Sequence, residues 1–102
     1  ANARYFGGGM MIAPDADMQD GLLDVVIFRG GGKLGLIRDL RLLYSGSHKN
    51  HRLVTILRGR RILVEPAGEK AGNVALVDVD GEAPGRIPAL FEVVPKAIRV
   101  VV

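Results

Sequence analysis

Two short stretches of the chain concentrate groups able to do chemistry. In ALVDVDGEAPG, residues 75–85, Asp78, Asp80 and Glu82 stand at every second position around Gly81. On a strand, alternate side chains share a face, so Asp78 and Asp80 point one way and Val77 and Val79 the other. Extension through Gly81 would add Glu82 to the acidic side. Carboxylates clustered in this way repel, so they must be solvated, share protons or hold a cation. The competing reading is local: Asp-Gly is a favoured hairpin pair. On local grounds the acidic turn stands ahead of a catalytic site.

In PDADMQDG, Asp15, Asp17 and Asp20 crowd a turn between two apolar runs. Hard cations take carboxylate and carbonyl oxygens, and a turn presents both. The spacing and the missing terminal glutamate exclude an EF-hand loop. A solvated loop with Asx-turn side chains explains the same residues. His48 and His51 supply two nitrogens and the chain has no cysteine, which does not close a zinc site. They read as solvated loop histidines. Arg58, Arg60 and Arg61 have the donors to clamp phosphate, but strand alternation turns Arg58 and Arg60 towards water. Gly7–Gly9 is not followed by a helix and so lacks the geometry of a nucleotide loop.

These residues need elements to position them. ANARYF has an alternating, strand-like pattern and reads as a strand entered in mid-protein. MMIA is a short apolar run stopped by Pro14, and LLDVVIF, residues 22–28, is a strand. In KLGLIRDLRLLYSG the period changes: Leu36, Ile37, Leu40, Leu43 and Tyr44 form a helical stripe, which predicts one helix over about residues 33–45, stopped by Gly46. SHKNH follows as a polar loop. LVTILRGRRILVE, VALVDVD, IPALFEVV and AIRVVV read as strands, with RGR marking a bulge or bend. Seven or so mostly antiparallel strands and one inserted helix predict a mainly β protein, a β-sandwich spanning residues 1–102 as a single domain.

The 102 residues suffice for one modest core, and 48% hydrophobic with 25% charged side chains is the balance of a folded chain. The absence of cysteine fits a reducing compartment. No apolar run approaches the roughly 20 residues of a membrane helix, and no signal peptide is visible. The net charge of +3 is unevenly spread: residues 1–28 carry −3, residues 29–61 carry +8 and residues 62–102 carry −2. A basic middle suits an anionic partner such as a membrane surface or a phosphate, or is a solvated face. Nucleic acid is the weaker partner, because only 5% of the residues are aromatic and bases need stacking platforms.

The order of the motifs is more specific than any one of them. NARYFGGGMMIAPDADMQDGLLDVVIF, a helix leaving through GSHKNH, VDVDGEAPG and PALFEVVPKAIRVVV together resemble the C-terminal lobe of the diacylglycerol kinase family. The likeness is narrowest to the bacterial lipid kinases that share a catalytic region with sphingosine kinases. It implies a second, N-terminal lobe that holds ATP through a GGDGT motif, which is not in this chain. The whole enzyme would move the γ-phosphoryl group of ATP to a lipid alcohol, and this lobe alone would be inactive. The resemblance assigns Asp80 as general base and Glu82 as its acidic support. It also assigns a structural Mg2+ to the Asp20 carboxylate and the carbonyls of Asp17 and Leu22; Asp78 receives no role. It further implies a cytoplasmic protein of phospholipid metabolism, peripheral at the inner membrane surface, docked by basic residues to anionic headgroups. Its partners would be the N-terminal lobe and the lipid, not nucleic acid; a homodimer stays open. The alternative function is a non-catalytic lipid- or partner-binding β-sandwich.

Overall fold

The computed structural model describes residues 1–29, 32–68 and 75–101, without the side chains of Lys33 and residues 36–40. The chain falls into two compact units, Ala1–Arg60 with Val93–Val102, and Arg61–Glu92. No helix among the described residues is long and apolar enough to cross a membrane.

In the first unit, Gly7, Gly8 and Gly9 all take positive φ (38°, 70° and 97°), which L side chains avoid. This reversal lets Phe6 and Met10 exchange backbone hydrogen bonds of 3.0 and 3.1 Å. The strand expected in ANARYF is reduced to that single bridge. Residues 11–22 then run as an irregular strap into strand β1, Leu23–Phe28. β1 pairs antiparallel with β2, Val54–Gly59, from Leu23↔Gly59 to Phe28↔Val54.

Between these strands lies helix α1, Lys33–Ser45, with the limits that the apolar period predicts. Gly46 ends it in the left-handed region at φ 72°, its N–H returning to the Leu42 carbonyl. The helix end presses on the strap: Met11 N–H donates to the Leu43 carbonyl at 2.7 Å. A Cβ on Gly46 would stand 2.7 Å from Met11 Sδ. Leu43 is buried, together with Ala13 and Ala16 of the strap, whose small side chains permit this approach. Tyr44 of the predicted stripe is exposed, while the side chains of Leu36, Ile37 and Leu40 lie outside the described residues. SHKNH is more ordered than a polar loop, since Ser47–Asn50 forms a 3-10 turn.

The run LVTILRGRRILVE breaks where RGR predicts, with β2 ending at Gly59 and β3, Arg61–Val64, beginning two residues on. In the second unit β3 pairs antiparallel with β6, Ala89–Glu92, and β4, Leu76–Val79, pairs antiparallel with β5, Glu82–Arg86. β5 departs from expectation, because residues 81–86, with Pro84 and Gly85 among them, fall between the runs VALVDVD and IPALFEVV that read as strands. Every residue of β5 is exposed, and proline is tolerated on such an edge, where its missing N–H is not required. The last apolar run forms no strand among the described residues. Among the described residues six strands and one α-helix thus stand where about seven and one are expected.

Candidate functional site

The acidic turn belongs to the first unit. Its approach, residues 12–16, is held by side chains from distant parts of the chain. His48 Nε2 donates to the Ile12 carbonyl at 2.7 Å, and Arg4 Nε donates to the Ala16 carbonyl at 3.1 Å. Arg58 Nη2 donates to the Asp15 carbonyl. Lys49 Nζ lies 3.3 Å from the exposed Asp15 carboxylate.

Beyond this strap, two Asx turns shape the loop. Asp17 Oδ1 accepts the Gln19 N–H at 2.8 Å, and Asp20 Oδ1 accepts the Leu22 N–H, also at 2.8 Å. Gly21, at φ 70°, turns the chain into β1. Asp17, Asp20 and Leu22 are therefore brought into one tight loop. Among the described residues the Asp17 carbonyl receives only a long 3.4 Å hydrogen bond from the Asp20 N–H. Asp20 Oδ2 has no hydrogen-bond partner among the described residues. One carboxylate and two carbonyls make an all-oxygen donor set, which fits a hard divalent cation with water filling the remaining positions. Among the described residues no group of three or more His, Cys, Asp or Glu is placed to hold a metal ion, Asp15, Asp17 and Asp20 included, so a cation here would rest on one carboxylate with backbone carbonyls and water.

Two readings of the sequence are corrected here. Arg58 does not simply face water. It stands opposite Asp24 in the β1–β2 register, and its Nε donates to Asp24 Oδ1 at 2.7 Å. Asp24 is only 2% exposed. The hydrogen bond to Asp24 raises the Arg58 pKa above its ordinary value, and the Asp24 charge reinforces it; partial desolvation opposes, while Asp20 and Asp15 add to the rise. A cavity of about 490 Å³ bordered by Asp15, Lys49 and Arg58 opens beside this pair.

His48, expected in solvent, is also 2% exposed and stacks on Phe28 with ring centroids 5.8 Å apart. A carbonyl only accepts, so His48 Nε2 carries the proton, and the buried Nδ1 has no hydrogen-bond partner among the described residues. It serves as a tertiary strut to the strap. The burial of His48 had no sign in its sequence context, whereas an aspartate inside LLDVVIF was the available sign of a buried charge in need of a partner.

The second acidic stretch lies in the second unit. Val79 pairs with Glu82 across Asp80-Gly81, whose φ angles are 51° and 87°. Positive φ at both central residues is the signature of a type I′ hairpin turn. The chain reverses here, so the extended acidic face through Gly81 does not form. Register shifts between Val77 and Val79, and the intervening Asp78 bends to accept the Gly81 N–H on Oδ1 at 2.9 Å. Asp78 thus has a structural role that its sequence context did not reveal. The Asp80 and Glu82 side chains are exposed, with no side-chain hydrogen bond or ion pair among the described residues. The turn leaves Asp80 exposed at its tip.

Comparison with known proteins gives these loops a context. The family described as "YegS C-terminal NAD kinase beta sandwich-like domain" matches residues 1–102. The diacylglycerol kinase of Mycobacterium tuberculosis is 32% identical over 99 residues, which are 97% of this chain and 30% of that protein. The diacylglycerol kinase of Bacillus subtilis is 27% identical over 95 residues, 93% of this chain and 30% of that protein. Sphingosine kinase 1 of Arabidopsis thaliana is 27% identical over 87 residues, 83% of this chain and 18% of that protein. The chain therefore spans about a third or less of the length of these relatives. No solved structure matches it.

Proposed function

Because the chain belongs to the diacylglycerol and sphingosine kinase family, as its C-terminal β-sandwich-like domain, we propose that it is the lipid-side lobe of an ATP-dependent lipid kinase. The observation that carries the reading is Asp80, an exposed carboxylate with no partner among the described residues, at the tip of the β4–β5 turn. Asp80 accepts the proton of the lipid hydroxyl while that oxygen attacks the γ-phosphorus of ATP and ADP leaves. Phosphoryl transfer asks mainly for alignment and charge neutralisation, with one group to orient the nucleophile and take its proton. Glu82, the first residue of β5, adds negative charge beside the base. The nucleotide is held by an N-terminal lobe of the parent protein.

The acidic turn holds a structural divalent cation, Mg2+, through the Asp20 carboxylate and the Asp17 and Leu22 carbonyls. Bound there, the ion would cross-link the loop to the start of β1. The basic stretch from residue 29 to residue 61 docks the protein on an anionic membrane surface, in keeping with a cytoplasmic, peripheral location. The test is incubation of the full-length protein with labelled ATP, Mg2+ and a panel of lipid alcohols. Labelled phospholipid is the expected product. Absence of phosphorylation across the panel, with ATP still bound, would favour the non-catalytic lipid-binding reading.

A further inference from the structure

We propose that Arg58 is a positioning residue for the acidic turn: by bridging Asp24 of β1 and the Asp15 carbonyl, it presets Asp17, Asp20 and Leu22 to receive a divalent cation. The inference rests on the cation reading above and adds a residue that is not itself a ligand.

The geometry is that of a bracket. Arg58 sits on β2, which is registered to β1 along six residue pairs. Asp24 is directly opposite it and nearly fully buried, and Asp24 Oδ2 has no hydrogen-bond partner among the described residues. The Asp24 carboxylate therefore depends on Arg58 for its side-chain hydrogen bond. A second nitrogen of the same guanidinium donates to the Asp15 carbonyl. Among the described residues, Arg58 alone donates both to a β1 side chain and to the backbone of the acidic strap. A planar, rigid fork transmits position in a way that a flexible ammonium does not. The bracket also sorts the carbonyls. Those of Ile12, Asp15 and Ala16 are taken by His48, Arg58 and Arg4, whereas the Asp17 carbonyl has only its long 3.4 Å contact.

The role is geometric rather than electrostatic. A positive charge near Asp20 opposes the arrival of a cation, so Arg58 would weaken the site if charge were its only effect. Arg58→Lys keeps the charge for Asp24 but removes the fork, and so separates the two contributions.

The experiment uses the full-length protein that carries this chain, as wild type, Arg58→Lys, Lys49→Met and Asp20→Ala. Hydrogen exchange without added cation is followed in peptides covering residues 15–22 and β1. Calorimetric titration with Mg2+ and Ca2+ gives affinity. In Arg58→Lys, loss of one charge-assisted hydrogen bond should speed exchange of the turn about tenfold and weaken cation binding by about the same factor. The β1 peptide should keep its protection. Lys49→Met, which removes only an exposed ion pair, should leave exchange of the turn near wild type and should not weaken cation binding. Should Arg58→Lys also expose β1, the double variant Asp24→Asn with Arg58→Gln, which leaves no buried charge, is measured with the same expectation for the turn. Wild-type exchange in the turn of Arg58→Lys overturns the proposal, and so does faster exchange with undiminished cation affinity. Absence of binding by the wild type removes the cation reading instead, and the exchange result then decides whether Arg58 holds the turn.

Discussion

Asp24 and Arg58 face each other across the β1–β2 ladder, with Arg58 Nε 2.7 Å from Asp24 Oδ1. One partner is buried at 2% exposure, while the Arg58 side chain stays 42% exposed. The ladder thus contains a charge that cannot reach water and a partner that can. Removing the partner is costly in such pairs because it strands the buried charge, whereas replacing both with apolar groups often is not. Arg58→Leu should therefore lower the unfolding midpoint clearly. Asp24→Leu with Arg58→Leu should recover much of that loss. A thermal double-mutant cycle measures the coupling, and a double variant no more stable than Arg58→Leu would contradict it.

The base assignment predicts that Asp80→Asn in the full-length enzyme lowers the lipid kinase rate about 10²- to 10⁴-fold. Asparagine tolerates the positive φ of this position, so the turn survives and only the proton acceptor is lost. Alanine would confound the result through backbone strain. Asp78→Asn keeps an oxygen for the Gly81 N–H and should cost far less. Glu82→Gln should fall between the two. Near wild-type turnover by Asp80→Asn at saturating lipid would leave the stretch as an acidic hairpin and no more.

The cation site predicts that Asp20→Ala abolishes the calorimetric signal for Mg2+ and Ca2+. The same change frees the Leu22 N–H, so it should also loosen the start of β1. Equal binding by wild type and variant would remove the acidic turn from the account.

The 102-residue chain by itself should transfer no phosphate from labelled ATP to mixed lipids. In-line positioning of nucleotide and acceptor supplies most of the rate, and the GGDGT motif expected of the nucleotide lobe is not in this chain. Robust Mg2+-dependent turnover by the isolated chain would refute the two-lobe reading.

Gly46→Ala should destabilise the fold by about 1–3 kcal/mol, because a non-glycine residue is forced into the left-handed region. Its new Cβ would also meet Met11 Sδ at 2.7 Å. Denaturant titration measures the loss. An unchanged midpoint would show that the helix end and the strap shift apart without cost.

Short-range chemistry was legible in the sequence. The apolar period placed α1 at Lys33–Ser45, Gly46 supplied its left-handed stop, and RGR marked the break between β2 and β3. Asp-Gly announced the hairpin turn, and the order of motifs pointed to the family. Each of these depends on residues only a few positions apart, so local propensity decides it. Tertiary structure decided which polar groups are buried and whom they meet. His48 reaches a carbonyl 36 residues away, and Arg58 reaches a carboxylate 34 residues away. Neither pairing has a local signature, and both residues read as solvated until the strands and the strap converge. Pro84 and Gly85 misled for the same reason: whether a ladder needs a given N–H depends on which side of the strand is an edge. The acidic residues were visible from the start, but their division of labour was not. Asp78 ties the turn, Asp80 stands free at its tip and Asp24 is locked to Arg58, because only the folded backbone determines which carboxylates find donors and which are left to water.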